Sequence, residues 1–198
     1  METIRGKVSL DMDLTALNAQ LEKYNRILLD LGTGDGKFAF CHADKFPDHF
    51  VIGVDACREN LHELSRAKRS NLLYIIASAQ NLPPELNGLI SHITINFPWG
   101  SLLESLLIGD SKLLCGLESI SAPAASIEVR LNGGALAEAG TSLEDGAKTI
   151  HSNLFKAGWQ VNNPLILNGN ALRNFPSTWA KRLAVGRDPR AIQLSGYI

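Results

Sequence analysis

Several things are scarce in this 198-residue sequence. Its three cysteines, Cys41, Cys57 and Cys115, are odd in number and widely spaced, with no C-x-x-C pair. That argues against a zinc-thiolate cluster or a disulfide framework and leaves reduced thiols as the simplest reading. His42, His49, His62, His92 and His151 show neither ligand spacing nor a catalytic pattern, so no metal is expected. No apolar run approaches the ~20 residues of a membrane span, and Met1-Glu2-Thr3-Ile4-Arg5 lacks the apolar core of a signal peptide. The expected location is the cytoplasm, with no membrane partner. Charge of one sign is also missing: the formal net charge is -1, so a nucleic-acid partner would have to meet local positive patches. What remains, 45% hydrophobic and 20% charged residues, suits an ordinary globular chain folding as one domain over residues 1–198.

The informative stretch is Arg26-Ile27-Leu28-Leu29-Asp30-Leu31-Gly32-Thr33-Gly34-Asp35-Gly36. A short apolar run without alternation suits a central parallel strand covered on both faces, and the glycines let the following turn bring backbone close to a ligand. The spacing is G-x-G-x-G rather than the dinucleotide G-x-G-x-x-G, with Asp30 two residues before the first glycine. It resembles the first motif of class I S-adenosylmethionine (SAM) methyltransferases. Asp30 is then expected to attract the cationic methionine end of SAM, directly or through water.

The rest of the chain fits an alternating α/β pattern. Residues 3 to 12 read as a hairpin turning at Gly6-Lys7, and Asp13 as the cap of a helix bearing Leu14, Leu17, Leu21 and Tyr24, expected to cover an edge of the ligand pocket. Residues 35 to 46 read as helix. Phe50 to Asp55 is a second apolar strand, and its terminal carboxylate, about twenty residues past the glycine loop, suits the two ribose hydroxyls. Residues 58 to 69 predict a helix with a basic C-terminal half, Arg66, Lys68 and Arg69, a candidate phosphate contact. Leu72 to Ala77 gives a third strand, after which Ser78-Ala79-Gln80-Asn81-Leu82 offers small residues and an amide to border adenine. A fourth strand, Leu89 to Ile95, runs into Asn96-Phe97-Pro98-Trp99-Gly100, and Ser101 to Glu104 has the S-x-x-E pattern of a capping box. Helix to about Ile120, a fifth strand around Ala125 to Val129, a glycine-rich link through Gly133-Gly134, a helix from Ser142 to Lys156 and a strand from Trp159 to Leu167 complete the core. Glu128 faces either the pocket or a salt bridge. Near the C-terminus Trp179 stands among Lys181, Arg182, Arg187 and Arg190, read as a basic hairpin tip with an aromatic at its base, the combination that phosphate positioning and base stacking require.

Three blocks then carry a more specific likeness: Asp30 to Gly36, Phe97-Pro98-Trp99-Gly100-Ser101-Leu102-Leu103-Glu104, and Trp179-Ala180-Lys181-Arg182-Leu183-Ala184-Val185-Gly186-Arg187. In order and over nearly the whole chain, they resemble the aminoglycoside-resistance methyltransferases that modify N1 of the decoding-site adenine in 16S ribosomal RNA. The resemblance implies a Rossmann-like class I methyltransferase fold: a seven-stranded, mostly parallel sheet with helices on both faces, an N-terminal hairpin at 1–12 and the core at 26–198. It implies that Trp99 and Trp179 sandwich the flipped adenine and act without a general base. SAM would be held by Asp30, Gly32, Thr33, Gly34, Gly36, Asp55 and Ala56, with Ala79, Gln80 and Leu82 near its adenine. Thr94, Ile95, Asn96, Phe97, Pro98 and Trp99, with Ser177, Thr178 and Trp179, would line the site. Arg66, Lys68, Arg69, Lys181, Arg182, Arg187 and Arg190 would grip 16S rRNA in the 30S subunit, the enzyme acting as a monomer. Two other readings fit the same residues: a SAM methyltransferase of another RNA or a small molecule, and a silent RNA-binding relative.

Overall fold

The structure, a computed structural model, describes residues 1–186 and 188–198; Arg187 lies outside them. A hairpin, β1 (Glu2–Arg5) and β2 (Val8–Asp11), opens the chain and turns at Gly6, whose φ is +62°. The Asp13 side chain accepts from the Ala16 amide and starts α1 (Leu14–Leu21), which buries Leu17 and Leu21. Alternation of strand and helix follows: β3 (Arg26–Leu31), α2 (Lys37–Lys45), β4 (His49–Asp55), α3 (Arg58–Leu61), β5 (Leu72–Ile76) and β6 (Ile90–Asn96). Next come α4 (Gly100–Ile108), α5 (Ser111–Ile120), β7 (Ser121–Asn132), α6 (Gly133–Glu138) and α7 (Leu143–Lys156). The chain closes with β8 (Gln160–Val161), β9 (Leu165–Leu167), α8 (Gly169–Asn174), α9 (Thr178–Leu183) and β10 (Ala191–Tyr197).

Strands β5, β4, β3, β6 and β7 run parallel, and antiparallel strands extend both sides, giving the order β2-β1-β5-β4-β3-β6-β7-β10-β8 with β9 paired to β10. The sheet therefore has ten strands instead of the expected seven. The hairpin joins it through β1 and β5, and Asn162-Asn163-Pro164 splits the expected 159–167 strand, since proline cannot donate to a ladder. One face is uniformly apolar: Leu29, Leu31, Ile52, Val54, Ile93, Ile95, Ile127 and Val129 pack on α1, α4, α5 and α7. On the other face Leu28, Val51 and Tyr74 pack against α2 and Leu61, while a separate small cluster of Phe97, Leu172, Ala180, Ala184 and Ala191 lies under α8 and α9. Between them β6 and β7 expose a polar strip.

Several local expectations are corrected. The basic segment 58–69 is not one helix: α3 stops at Leu61, a 3-10 turn spans Leu64–Arg66, and Lys68 and Arg69 lie in the following loop. Arg69 instead pairs with Asp44 at 2.9 Å and covers the Phe40 ring. Gly109, at φ +67°, ends α4 and breaks the long helix in two. Gly133-Gly134 begins α6 rather than a link, because the Asn132 side chain accepts from the Ala135 amide and caps it. Of the basic C-terminal residues, Lys181 and Arg182 lie in α9 and Arg190 in the loop before β10, not on a hairpin tip. The Ser101 capping box does not form; Trp99 is the N-cap and no side chain bonds there. Trp159 is buried and donates to Glu118 at 3.0 Å, which makes it structural.

Gly53 sits opposite Asp30 on one side and Tyr74 on the other. A Cβ there would lie 2.7 Å from the Tyr74 ring, and the Tyr74 hydroxyl donates to the Gly36 carbonyl at 2.8 Å. Gly53→Ala is expected to cost about 1–3 kcal/mol through overpacking; urea unfolding measures it, and an unchanged midpoint would contradict this packing.

Candidate active site

Strand β3 delivers Asp30 to the carboxyl edge of the parallel sheet, where open α/β folds place their ligands. The chain then turns through Gly32, Gly34 and Gly36 at φ of +68°, +59° and +76°, a left-handed path that glycine takes without strain. The amides of Gly32 and Thr33 donate to the Val54 carbonyl at 2.8 and 3.0 Å, and the Gly34 amide donates to Asp55 Oδ2 at 2.8 Å. Asp55 Oδ1 accepts from the Cys57 amide at 2.8 Å. The second carboxylate therefore locks the loop to the end of β4 while keeping unused acceptor capacity toward the cavity.

Asp30 is only 1% exposed. Its Oδ2 accepts from Thr33 Oγ1 at 2.5 Å, and its Oδ1 accepts from Thr94 Oγ1 at 2.9 Å and Asn96 Nδ2 at 2.8 Å. Burial pushes its pKa up to about 6, against the pull of those three donors and of the Arg130 charge. At neutral pH the group is mostly ionised, a buried negative charge beside an open cavity.

That cavity, about 310 Å³, lies between the glycine loop, the end of β4, the loop after β5 and the start of α4. Of the expected residues, Asp30, Gly32, Thr33, Gly34, Asp55 and Ala56 line its lower wall. Ala79, Gln80, Asn96, Phe97, Pro98, Trp99, Ser177 and Trp179 line the rest. Five others stand back. Gly36 packs on Tyr74; Leu82 and Ile95 belong to the apolar core; Thr94 reaches the cavity only through Asp30; Thr178 Oγ1 donates to Asp35 Oδ2 at 2.8 Å, pinning α9 to the glycine loop. Helix α1 contributes no lining residue, since its apolar face is spent on the core. The Gln80 amide is partly engaged, its Oε1 accepting from Ser78 at 2.6 Å and its Nε2 donating to Ser105 at 2.8 Å, which leaves one lone pair of the oxygen unused.

The sequence reading missed Asp35, Phe38, Asn60, Ser101 and Leu102 in the wall. Asp35 stood inside the glycine motif, and Ser101 and Leu102 lie one helical turn past Trp99, so position relative to the two motifs was the available signal. Glu128 lies outside this cavity and pairs with Arg130.

Trp99 and Trp179 meet at the mouth. Their ring centroids are 5.9 Å apart with planes 23° from parallel, and they remain 47% and 51% exposed. Trp99 is placed by Phe97, a buried residue at φ +56° whose amide donates to the Arg130 carbonyl at 2.8 Å. Trp179 rides the first turn of α9, with the Arg182 guanidinium 5.5 Å from its ring. Two tryptophan faces standing in water beside a ligand cavity are a poor use of apolar surface unless something flat docks there. A base between them needs two layers of carbon contact, about 7 Å in all, so the pair must part before it can hold one.

Lys181 and Arg182 are exposed beside this mouth, and Arg66, Lys68 and Arg69 lie exposed in the segment before β5. Arg190 is already held by Asp188 and Glu144, at 2.8 Å to each. Among the described residues no cluster of three or more metal ligands and no helix able to cross a membrane occurs.

The sheet order, the glycine loop after its central strand and the carboxylate ending the next strand define a SAM-dependent methyltransferase of the Rossmann-like class I fold. Comparison with known proteins narrows this: the family model described as NpmA, 16S rRNA (adenine(1408)-N(1))-methyltransferase, matches residues 2–198, and the chain belongs to that family. The 16S rRNA (adenine(1408)-N(1))-methyltransferase of Escherichia coli is 28% identical over 100% of this chain and 99% of its own length. The crystal structure of the 16S rRNA methyltransferase KamB superposes with a TM-score of 0.89 at 29% identity, covering 100% of this chain and 99% of KamB. A mutant of the 16S rRNA (adenine(1408)-N(1))-methyltransferase from Catenulisporales acidiphilia, solved with cosubstrate SAM, gives 0.87 at 25% identity, covering 100% and 96% of the two chains.

The buried carboxylate sets the first test. Asp30 holds its proton more tightly folded than unfolded, so its contribution to stability falls as pH rises from about 4 to about 6 and is flat above. At pH 7 that ionisation opposes folding by on the order of 3 kcal/mol. Asp30→Asn is expected to raise the Tm at pH 7, with the gain shrinking toward pH 4, while SAM affinity collapses. Thermal unfolding across pH and titration calorimetry read both; a Tm lowered at pH 7 would contradict the assignment.

Proposed function

We propose that this chain methylates N1 of the decoding-site adenine of 16S rRNA within the 30S subunit, in the cytoplasm and as a single-domain monomer, and thereby confers aminoglycoside resistance. The observation carrying this reading is the pair of exposed tryptophans, Trp99 and Trp179, stacked at 5.9 Å over the mouth of the glycine-loop cavity.

The residues around that cavity fit SAM: two carboxylates at strand ends, a glycine loop leaving its backbone open, and small side chains at Ala56, Ala77 and Ala79. Asp30 would face the methionine end and Asp55 the ribose, with Ala79, Gln80 and Leu102 bordering the adenine. SAM supplies a methyl group on a cationic sulfur, electrophilic without further activation. Adenine N1 carries a lone pair at neutral pH and needs no base to attack. In the transfer that lone pair would form the new N–C bond as the C–S bond breaks, with the C–S electrons going to sulfur.

The chain's own work is therefore alignment. Trp99 and Trp179 take the extruded base on their faces and hold N1 in line, which is catalysis by positioning. Their π-faces also favour the positive charge that the adenine acquires. Asn96 to Pro98 and Ser177 form the rim. Lys181, Arg182 and Arg187, with Arg66, Lys68 and Arg69, would contact ribosomal phosphates. Arg190, bonded to two carboxylates, has its charge offset locally and fewer free donors for that purpose.

Primer extension on 16S rRNA from 30S subunits incubated with protein and SAM tests the proposal: N1 methylation blocks the Watson–Crick edge and stops the polymerase at the decoding-site adenine. Absence of a stop, with SAM bound, would move the substrate elsewhere. Trp99→Ala and Trp179→Ala should each reduce methyl transfer at least 100-fold, the scale on which lost alignment acts, while SAM affinity stays within about threefold. Lys181→Ala should weaken subunit binding and lower the slope of log affinity against log salt by about one unit; an unchanged slope would remove Lys181 from the interface.

A further inference from the structure

Arg130 is absent from the cavity wall, yet three parts of the site converge on it. It lies in β7, directly opposite Asn96 of β6 and Gln193 of β10, and its side chain is buried. Its Nη1 donates to Asn96 Oδ1 at 2.8 Å, its Nε donates to Gln193 Oε1 at 3.1 Å, and Nη2 pairs with Glu128. The guanidinium also covers the Phe175 ring at 4.8 Å.

These contacts settle an orientation that chemistry otherwise leaves open. An asparagine amide can present either end to a neighbour, but arginine only donates and an ionised carboxylate only accepts. With Arg130 on one side, Asn96 must turn its oxygen to the guanidinium and its Nδ2 to Asp30, the 2.8 Å bond observed. Cation, amide and anion form one polarised row across β7, β6 and β3. Without the guanidinium the Asn96 oxygen loses its donor, the amide is held from the Asp30 side alone, and Asp30 loses a neighbouring positive charge.

The other side of Arg130 leads to the tryptophans. Phe175 stacks on Phe38 at 5.2 Å and 5°, meets Phe97 edge-on at 5.6 Å and 84°, and stands four residues before Trp179. Phe97 stands two residues before Trp99. A single side chain therefore reaches the carboxylate through Asn96 and the seats of both tryptophan loops through Phe175.

We propose that Arg130 is a positioning residue for methyl transfer, fixing Asp30 through Asn96 and registering the loops of Trp99 and Trp179 through Phe175. The inference rests on the methyltransferase reading above. It differs from plain core packing because it acts through identified bonds, which a lysine of equal charge cannot reproduce: the ammonium is a point charge with no planar fork to hold Asn96, Gln193 and Phe175 at once.

The experiment uses the full chain as Arg130→Lys, Arg130→Met, Asn96→Ala and the double variant Arg130→Lys/Asn96→Ala. Arg130→Lys is expected to stay folded by circular dichroism and to lose at least tenfold in single-turnover methyl transfer to 30S subunits, with KM for the subunit within threefold. A pH series of SAM affinity by calorimetry supplies the second reading, independent of any RNA. Weakened support for ionised Asp30 should move the acidic limb of that series to higher pH in Arg130→Lys and further in Arg130→Met. The other titratable groups facing this row are Glu128 on β7, His92 on β6, His42 and Lys45 of α2 across the adjoining cavity, and Asp35, Asp55 and Tyr74 on the Asp30 side. Those seven are the same in every variant, so the shift reports on Arg130.

Coupling decides the route. Acting through Asn96, the Arg130→Lys shift of the acidic limb should largely vanish in the Asn96→Ala background; fully additive effects would overturn the relay. Parent-like transfer and SAM titration in both single Arg130 variants would overturn the whole proposal, as would losses that merely follow the folded fraction. Should the parent itself leave 30S subunits unmethylated, the substrate reading fails, while the SAM titrations still decide for or against Arg130.

Discussion

Everything at the carboxyl edge of this sheet depends on keeping one carboxylate charged where water cannot reach it. Asp30 sits in the middle of the sheet, between β4 and β6, and its three donors come from the turn it introduces and from β6. The donors lower the cost of its charge without cancelling it, as the pKa near 6 records. A group held against its preference in this way spends folding stability to keep a field ready for a cationic ligand. Gly53 and Tyr74 make sense in the same light. The missing side chain at Gly53 lets Tyr74 and Thr33 close over the carboxylate, and Tyr74 in turn bonds the Gly36 carbonyl.

The ligand cavity and the tryptophan pair are built to different standards. The glycine loop is fixed at both ends by backbone bonds to Val54 and by Asp55. The tryptophans rest on each other at a spacing too small for a guest. Under the proposed function, the half that would take the cosubstrate is thus prepared in advance, and the half that would meet RNA has to move. This suits a target that has to leave a helix before it can be methylated, because energy invested in a rigid empty slot would be wasted until the base arrives.

Legibility followed the range of the interactions. The first strand, the glycine turn and the acid ending the second strand could be read because each is written within ten or so neighbouring residues. So could the Asp13 cap of α1 and the start of α7 at Ser142. Features set by distant partners were misread. The segment 58–69 has helical composition, but beyond Leu61 little besides Leu64 and Ser65 turns inward, and the Ser101 to Glu104 box lost to a start fixed by Phe97 and Trp99. Carrying over whole blocks of the family drew Leu82 and Ile95 into the site, although their side chains point to the apolar core. Arg130 was missed despite a signal in the sequence: Glu128, Arg130 and Asn132 alternate with Ile127, Val129 and Leu131, which marks a strand with one uncovered face.

The small cluster beneath α8 and α9 has a kinetic meaning of its own. Leu172, Ala180, Ala184 and Ala191 form an island apart from the main core, closed by Phe97 and by the bond from Thr178 to Asp35, 143 residues away in the chain. Such an island opens as a local unit, at lower free energy than the sheet. Its amides should exchange with solvent hydrogen well before those of β3 or β6. The wall that carries Trp179 can therefore loosen many times in the lifetime of a folded sheet.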